Sequence, residues 1–318
     1  MATDLIDATS VEQDYLIGMP QLALGGISEN WLLKECGHQH WLALAKSLNL
    51  PVPSFVDEHN RKLYAAFLVV RVSNAVLHRV TENSRLSIAT QLKRVSPSRS
   101  YSRHDLCLEE EGLSKQVIAQ VELLSSFVSR HEEGNNQSVA RNEMLKGGWS
   151  ACEPASQMMA EHKKGRNLPN AEVTSISKVP FVYQPCPYAD FNGADFLYFA
   201  QFQVVMDRAE RFFQAGLQAF NADPSSSPSP NKPLVLWQVV ERTICYYGNI
   251  NLDDALAAHL YTILPSDHRK SLLGHCGRLY RQSDNALIAN VITKKRYMDH
   301  PLVSFKKNEE VVLAGVEL

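Results

Sequence analysis

Residues 18–48 hold a junction that restricts what this chain can fold into: a short turn-rich segment runs straight into one long apolar helix. From Gly18 to Ser28 glycines, a proline and short side chains predominate, so the backbone can lie close to something else. From Glu29 onward Trp31, Leu33, Cys36, His40, Trp41, Leu44 and Leu48 recur at three- and four-residue steps, the spacing of one helix face. Ser28 is the expected N-cap and Glu29 an acidic first-turn residue. Gly25-Gly26 before a helix start leaves two readings open. It is a tight turn in front of a buried helix, or a place where free backbone N–H groups meet a ligand oxygen.

Composition narrows the partners. The chain has 318 residues, enough for one large domain or two ordinary ones, and 45% hydrophobic content supports a real core. With 32 basic against 34 acidic residues the formal charge is −2, which removes the electrostatic case for nucleic acid or an anionic membrane. No apolar run approaches the ~20 residues of a membrane span. The start, Met1-Ala2-Thr3-Asp4, lacks a signal-peptide core, and the six cysteines (36, 107, 152, 186, 245 and 276) form no framework. The expectation is a cytoplasmic protein with reduced thiols.

After the first helix Pro51-Val52-Pro53 is a stop, and strands are expected at Leu63–Val72, Arg85–Val95 and Val117–Val128, with a turn at Ser96-Pro97-Ser98-Arg99-Ser100. Residues 131–175 show neither period and are expected to be a surface connector; the basic run His162-Lys163-Lys164-Gly165-Arg166-Asn167 is read as solvated, with a phosphate contact as the alternative. The second part repeats the order of the first. A turn-rich lead-in, Tyr188–Asp195, precedes Phe202, Val205, Met206, Ala209, Phe212, Phe213 and Leu217 at helical spacing. A Pro/Ser-rich loop at Ala222–Pro230 follows, then strands at Leu234–Tyr247, Leu256–Leu264, His275–Tyr280 and Asn285–Lys294. Leu63-Tyr64 and Leu236-Trp237 hold equivalent places, a repeat of about 170 residues. One long helix followed by an antiparallel meander is the plan of the hotdog fold. The expected class is therefore α+β, a double hotdog, each half a long central helix wrapped by an antiparallel sheet. The expected boundaries are 1–130, a connector at 131–175, and 176–318.

Candidate chemistry is sparse. Cys36 and His40 would share a helix face, with His38 pointing elsewhere, so no closed metal site is expected and both histidines read as core residues. Gly25-Gly26-Ile27-Ser28-Glu29 is no nucleophile elbow, and no dinucleotide or Walker motif is present. Tyr64 opens the first apolar strand beside Arg61 and Lys62. A phenol, with a pKa near about 10, needs a base or a reactive substrate to become a nucleophile.

The stretch Met19-Pro20-Gln21-Leu22-Ala23-Leu24-Gly25-Gly26-Ile27-Ser28-Glu29-Asn30-Trp31-Leu32-Leu33-Lys34-Glu35-Cys36-Gly37 resembles the signature of the bifunctional acyltransferase/decarboxylases of polyketide biosynthesis. In the second half the resemblance continues in Asp190-Phe191-Asn192-Gly193-Ala194-Asp195-Phe196-Leu197-Tyr198-Phe199 and in Tyr246-Tyr247-Gly248-Asn249. It implies a double-hotdog enzyme with no bound cofactor. Its substrate would be methylmalonyl-coenzyme A or a related thioester, and its acceptor the phosphopantetheine thiol of an acyl carrier protein. It also implies a tyrosine nucleophile, for which Tyr64 best fits the place, passing a propionyl group through an acyl-O-tyrosine. The oxyanion and substrate groups are expected at Gly25, Gly26, Ser28 and Asn30, with Asn192 and Gly193 from the other half. The rival readings are a hotdog thioesterase or dehydratase with Asp190, Asp195 or Glu29 as base, and a non-catalytic carrier-binding protein. A homodimer is left open.

Overall fold

The computed structural model of the protein describes residues 9–110, 112, 114–144, 148–166, 173–175, 179–220, 236–263 and 272–298. The Ala222–Pro230 loop, the first residues, Asn167, and positions 234–235 and 264 of two expected strands lie outside them. Strand β1 (Thr9–Leu16) and the small hairpin β2 (Leu22–Ala23) and β3 (Gly26–Ile27) lead into α1 (Glu29–Ser47). Then come β4 (Phe55–Val56), β5 (Lys62–Ser73), β6 (Arg85–Arg94), β7 (Arg99–Glu109) and β8 (Gln116–Arg130). β9 (Val139–Arg141), α2 (Glu153–Gly165), β10 (Val173–Ser175) and β11 (Phe181–Tyr183) cross to α3 (Gln201–Phe220). β12 (Leu236–Tyr246), β13 (Leu256–Ile263), β14 (Leu272–Arg281) and β15 (Leu287–Met298) complete the described elements.

Among the described residues thirteen strands form one antiparallel sheet, whose main path is β1-β6-β7-β8-β5-β12-β15-β14-β13-β10. The two ends of that path obey one rule. In each half the strand before the long helix is the outer edge, the three meander strands follow, and the strand after the helix lies at the centre. The halves join there through Val69–Val72 of β5 and Arg242–Cys245 of β12.

Helices α1 and α3 lie on one face. Leu32, Leu33 and Cys36 of α1 share a core with Phe202, Val205, Met206 and Ala209 of α3. Leucines as buried as Leu32, Leu33 and Leu44 stabilise by roughly 1.5–3 kcal/mol each. Ser28 caps α1 as expected, its Oγ accepting from Trp31 N at 3.3 Å. Helix α2 covers the other face, where Ala155 and Met158 pack with Val69, Tyr101, Leu124 and Cys245.

Three expectations are corrected. Residues 131–175 are not a bare connector: β9 extends the edge of β8, and α2 buries Ala155, Met158 and His162 in a narrow stripe. So narrow a stripe sits below the usual helical pattern. β7 begins in the turn expected at 96–100 and runs on through residues assigned to no element, because its buried row begins with the polar residues Ser100, Ser102 and His104, the last two paired inside the protein. Of the two histidines only His40 is a core residue, between Ser102 Oγ at 2.7 Å and Ser125 Oγ at 2.8 Å; burial pushes its ring down to about 3. His38 is exposed and lines a cavity.

Candidate active site

β5 is paired unequally on its two edges. β8 accompanies it from Tyr64 to Ser73, but β12 meets it only from Val69 to Val72. A β-bulge between Phe67 and Val69 marks the change, a device that bends a strand and re-aims its side chains. With β4 on Lys62 and Leu63, the segment Tyr64–Phe67 therefore pairs with β8 alone among the described strands and has an edge open to something other than a strand. The loop 192–199 and the Gly248-Asn249 turn fill part of that space and leave a cavity of about 500 Å³. Because the cavity runs round an open edge, residues from both faces of the sheet line it.

Its walls are aromatic: Trp41, Phe67, Phe196, Tyr198, Phe199 and Tyr246. The polar side chains in the lining are His38, Lys62, Tyr64, Asn192 and Asn249, and no carboxylate is among them. The Tyr64 ring meets the edge of Phe196 at 5.2 Å, and Lys62 Nζ stands 5.3 Å from its centroid. Phe196 is fixed in turn by the Arg130 guanidinium, 4.5 Å from its ring. Asn192 Oδ1 accepts from the N–H groups of Ala194 (2.9 Å) and Phe196 (3.2 Å), an Asx turn that holds the loop against the strand. Gly37 lets α1 come close, since a Cβ there would stand 2.7 Å from the Phe199 ring. Thus Tyr64, Asn192 and Gly193 line one cavity.

Gly25, Gly26, Ser28 and Asn30 are elsewhere. They line a second cavity of about 1010 Å³ at the start of α1, beside Gln203, Asp207, Trp237, Gln238 and Lys295. Gly37 and Gly25 lie at the two cavities, and α1 rises about 1.5 Å per residue, so its first turn stands roughly 12 Å from the turn that meets Tyr64. The groups expected as oxyanion donors have structural partners here. Gly26, at φ +108°, passes so close to the Leu77 carbonyl that a Cβ would stand 2.2 Å from it. The Gly25 carbonyl accepts from Gln238 Nε2 at 2.7 Å. Ser28 N–H donates to the Gln21 carbonyl at 2.8 Å. Asn30 Nδ2 donates to the Ala200 carbonyl (3.1 Å) and to Gln201 Oε1 (3.0 Å), tying α1 to α3.

What this second cavity does hold is an ion network. Arg242, on the inner face with Ile244 and Tyr246, places Nε 2.8 Å from Glu29 Oε1 and donates to Asp207 Oδ1 at 2.8 Å. Lys295 Nζ donates to Asp207 at 2.8 Å and to Glu210 at 2.5 Å, and His275 also meets Glu210. Burial raises the Glu29 carboxyl to about 7 against the pull of Arg242. Asp207 feels the same burial, but Arg242 and Lys295 together hold it well below the carboxylate range. Asp190, another carboxylate considered as a base, is enclosed by Tyr183 Oη and Cys186 N–H, both at 2.7 Å, and by Gln201. Arg242 and Lys295 sit on the buried rows of β12 and β15 that hold Ile244, Tyr246, Val291 and Thr293, but strands this rich in polar residues do not single them out in the sequence.

No protein-family model and no curated protein sequence matches the chain. Its structure is similar to that of the 12:0-ACP thioesterase from Umbellularia californica, with a TM-score of 0.58 at 9% identity, covering 91% of this chain and 95% of the other. It is also similar to an acyl-ACP thioesterase from Bacteroides thetaiotaomicron, with a TM-score of 0.56 at 9% identity, covering 91% and 98%. At these identities the likeness is one of fold: the chain has an α+β hotdog fold, with a large antiparallel sheet and long helices on its face.

Proposed function

We propose that this chain is a double-hotdog enzyme acting on acyl thioesters of coenzyme A or an acyl carrier protein, with acyl transfer at Tyr64. The halves are 1–130 and 176–318, joined through 131–175. The strand order shared by the two ends of the sheet supports the duplication. The acyl-thioester class is supported by the structural neighbours, which are acyl-ACP thioesterases.

The observation that carries the Tyr64 reading is a phenol in an aromatic cavity whose lining has no carboxylate. Among the described residues no carboxylate lines it and His38 is its one imidazole, so a substrate that supplies its own base suits this cavity. A malonyl-type thioester does so: breaking the C–C bond to its carboxylate releases CO₂ and leaves the electron pair as an enolate. The enolate takes the Tyr64 proton and becomes the saturated acyl thioester. The phenolate then attacks that carbonyl, expels the coenzyme A thiolate and forms an acyl-O-tyrosine. A carrier-protein thiol would collect the acyl group. Aromatic walls disfavour the substrate's carboxylate and favour its loss, and Lys62 is the cation placed to receive the anion at the rim.

Hydrolysis is the second reading, favoured by the neighbours' class and by Glu29, a buried carboxyl raised to about 7 and so suited to general-base work at neutral pH. The test is incubation with methylmalonyl-coenzyme A followed by intact-protein mass spectrometry. A propionyl adduct that is absent in Tyr64→Phe supports acyl transfer. Free acid without an adduct, abolished by Glu29→Gln, supports hydrolysis. An adduct that persists in Tyr64→Phe would sink the assignment of the nucleophile.

A further inference from the structure

Near the end of α2 the protein gathers positive charge in one concavity. Arg99 from β7, Arg141 from β9, and Lys163 and Arg166 at the end of α2 line a cleft of about 340 Å³ together with His162, and among the described residues no acidic side chain lines it. Among the described residues none of the four cations pairs with a carboxylate within 4.0 Å, and the nearby acids are already engaged: Glu161 and Glu122 both hold Arg71, at 2.7 and 3.0 Å. Arg99 Nε is buried and has no hydrogen-bond partner. A cationic surface stripe needs no ligand, but cations converging from three elements repel one another, and a buried donor without an acceptor costs roughly 1–3 kcal/mol. The C-terminal dipole of α2 would oppose an anion with only about half a charge, against four full cations.

The cleft is coupled to the Tyr64 cavity by strand register. Tyr64 pairs with Val128, and Val128 with Arg141, so the three side chains leave the same face of β5, β8 and β9. Two strand spacings separate the Cα atoms of Tyr64 and Arg141, about 10 Å. Val139, two residues before Arg141 on β9, lines the Tyr64 cavity. His162 Nε2 bonds the Tyr246 carbonyl at 2.7 Å and Arg166 lies over the Tyr247 ring at 5.0 Å, which anchors this end of α2 beside the Gly248-Asn249 wall.

We propose that this cleft binds the phosphate groups at the nucleotide end of a coenzyme A thioester and directs the pantetheine arm over Val128 and Val139 to Tyr64. The inference rests on the acyl-thioester reading of the Tyr64 cavity. Guanidinium pairs suit phosphate by bidentate hydrogen bonding.

The test uses the full chain and Arg141→Gln/Arg166→Gln, both sites being exposed, with melting temperatures compared to check that the loss of the Arg166–Tyr247 contact leaves the fold intact. Calorimetric titration with coenzyme A should give a dissociation constant at least about tenfold weaker in the double variant, whereas pantetheine, which has no phosphate, should bind both proteins equally. With acyl-coenzyme A the variant should raise KM and leave kcat unchanged. Equal binding of coenzyme A by both proteins would overturn the cleft and leave the chemistry at Tyr64 untouched. A loss confined to a carrier-protein substrate would overturn the nucleotide assignment. Coenzyme A bound through these arginines by a protein that turns over no acyl thioester would refute the proposed activity and leave the cleft standing.

Discussion

Helix α1 touches both cavities, and they have little in common. Its first turn belongs to a larger chamber lined by Glu29, Asp207 and Lys295, which pair behind the wall with Arg242 and Glu210. Its third turn, through Gly37, His38 and Trp41, belongs to a smaller aromatic chamber around Tyr64 whose lining holds no carboxylate. Charges buried in this manner hold a structure in one register but are costly to desolvate, whereas an aromatic pocket is inexpensive to form and keeps water away from a reacting group. The contrast is what our proposal rests on when it gives anchoring to the first chamber and covalent chemistry to the aromatic one.

The largest effect should come from Tyr64→Phe. If the aromatic chamber is the seat of the chemistry, loss of the phenolic oxygen should reduce acyl transfer by about 10³-fold or more, with the melting temperature unchanged. Single-turnover assays with a malonyl thioester read this directly. A rate within tenfold of wild type would move the chemistry to the other chamber. Arg242→Ala should show the reverse pattern. It leaves Glu29 and Asp207 without their shared cation, and removing one partner of a buried pair costs roughly 3–5 kcal/mol. Urea denaturation should register the loss. If stability is unaffected and turnover collapses, the network is catalytic and not an anchor.

The aromatic chamber should also respond to volume. Gly37→Ala puts a methyl group 2.7 Å from the Phe199 ring, inside van der Waals contact, so the ring must shift into the cavity. The expected cost is roughly 1–3 kcal/mol, with turnover shifted toward shorter acyl groups. A panel of acyl-coenzyme A chain lengths measures it, and an unchanged preference would show that Phe199 does not bound the acyl group.

Much of this was legible in the residues and some was not, for physical reasons. The cap at Ser28, α1, α3 and the strands flanking Tyr64 announce themselves because apolar residues repeat at the period of the element. Strand β7 does not, since its inward groups are Ser100, Ser102 and His104, and Ser102 and His104 find their partners on other elements, in His40 and Thr90. Helix α2 hides for the opposite reason: it buries so few residues that its polar face dominates. The site was half visible. Tyr64 with Asn192 and Gly193 could be gathered from motifs, but spacing cannot tell which end of a helix faces which cavity, and so Gly25, Gly26, Ser28 and Asn30 were joined to a phenol that they do not meet. The ion network was invisible because its members are scattered from Glu29 to Lys295 and converge only when β12 and β15 pair.

The smallest effect is the sharpest probe of the first chamber, because two groups on α1 oppose each other in pH. His40 is buried neutral with its pKa pushed down to about 3, and His104 is likewise lowered by burial and then by His40. Below about pH 6.5 the unfolded chain binds protons that the native rings refuse, so stability falls with acid by about 1.4 kcal/mol per ring per pH unit. Glu29 works the other way. Its native carboxyl is raised by burial to about 7, above the ordinary value, so the native state holds a proton that the unfolded chain has released. That contribution is complete below the unfolded pKa and is lost as pH rises through 7. Between pH 6.5 and 8 the two rings still add about 0.4 kcal/mol each as the unfolded histidines lose their protons, and the Glu29 component declines by about 0.8 kcal/mol, so the two nearly cancel in the intact protein. Denaturation midpoints at pH 6.5, 7.25 and 8 (chosen as ~0.75-unit steps across the transition) should stay nearly level in wild type and rise in Glu29→Gln. A glutamine variant that follows the wild-type profile would place the proton on another member of the network and leave Glu29 ionised against Arg242. In that case the chamber would have no neutral-pH base, and the hydrolytic reading would lose its best residue.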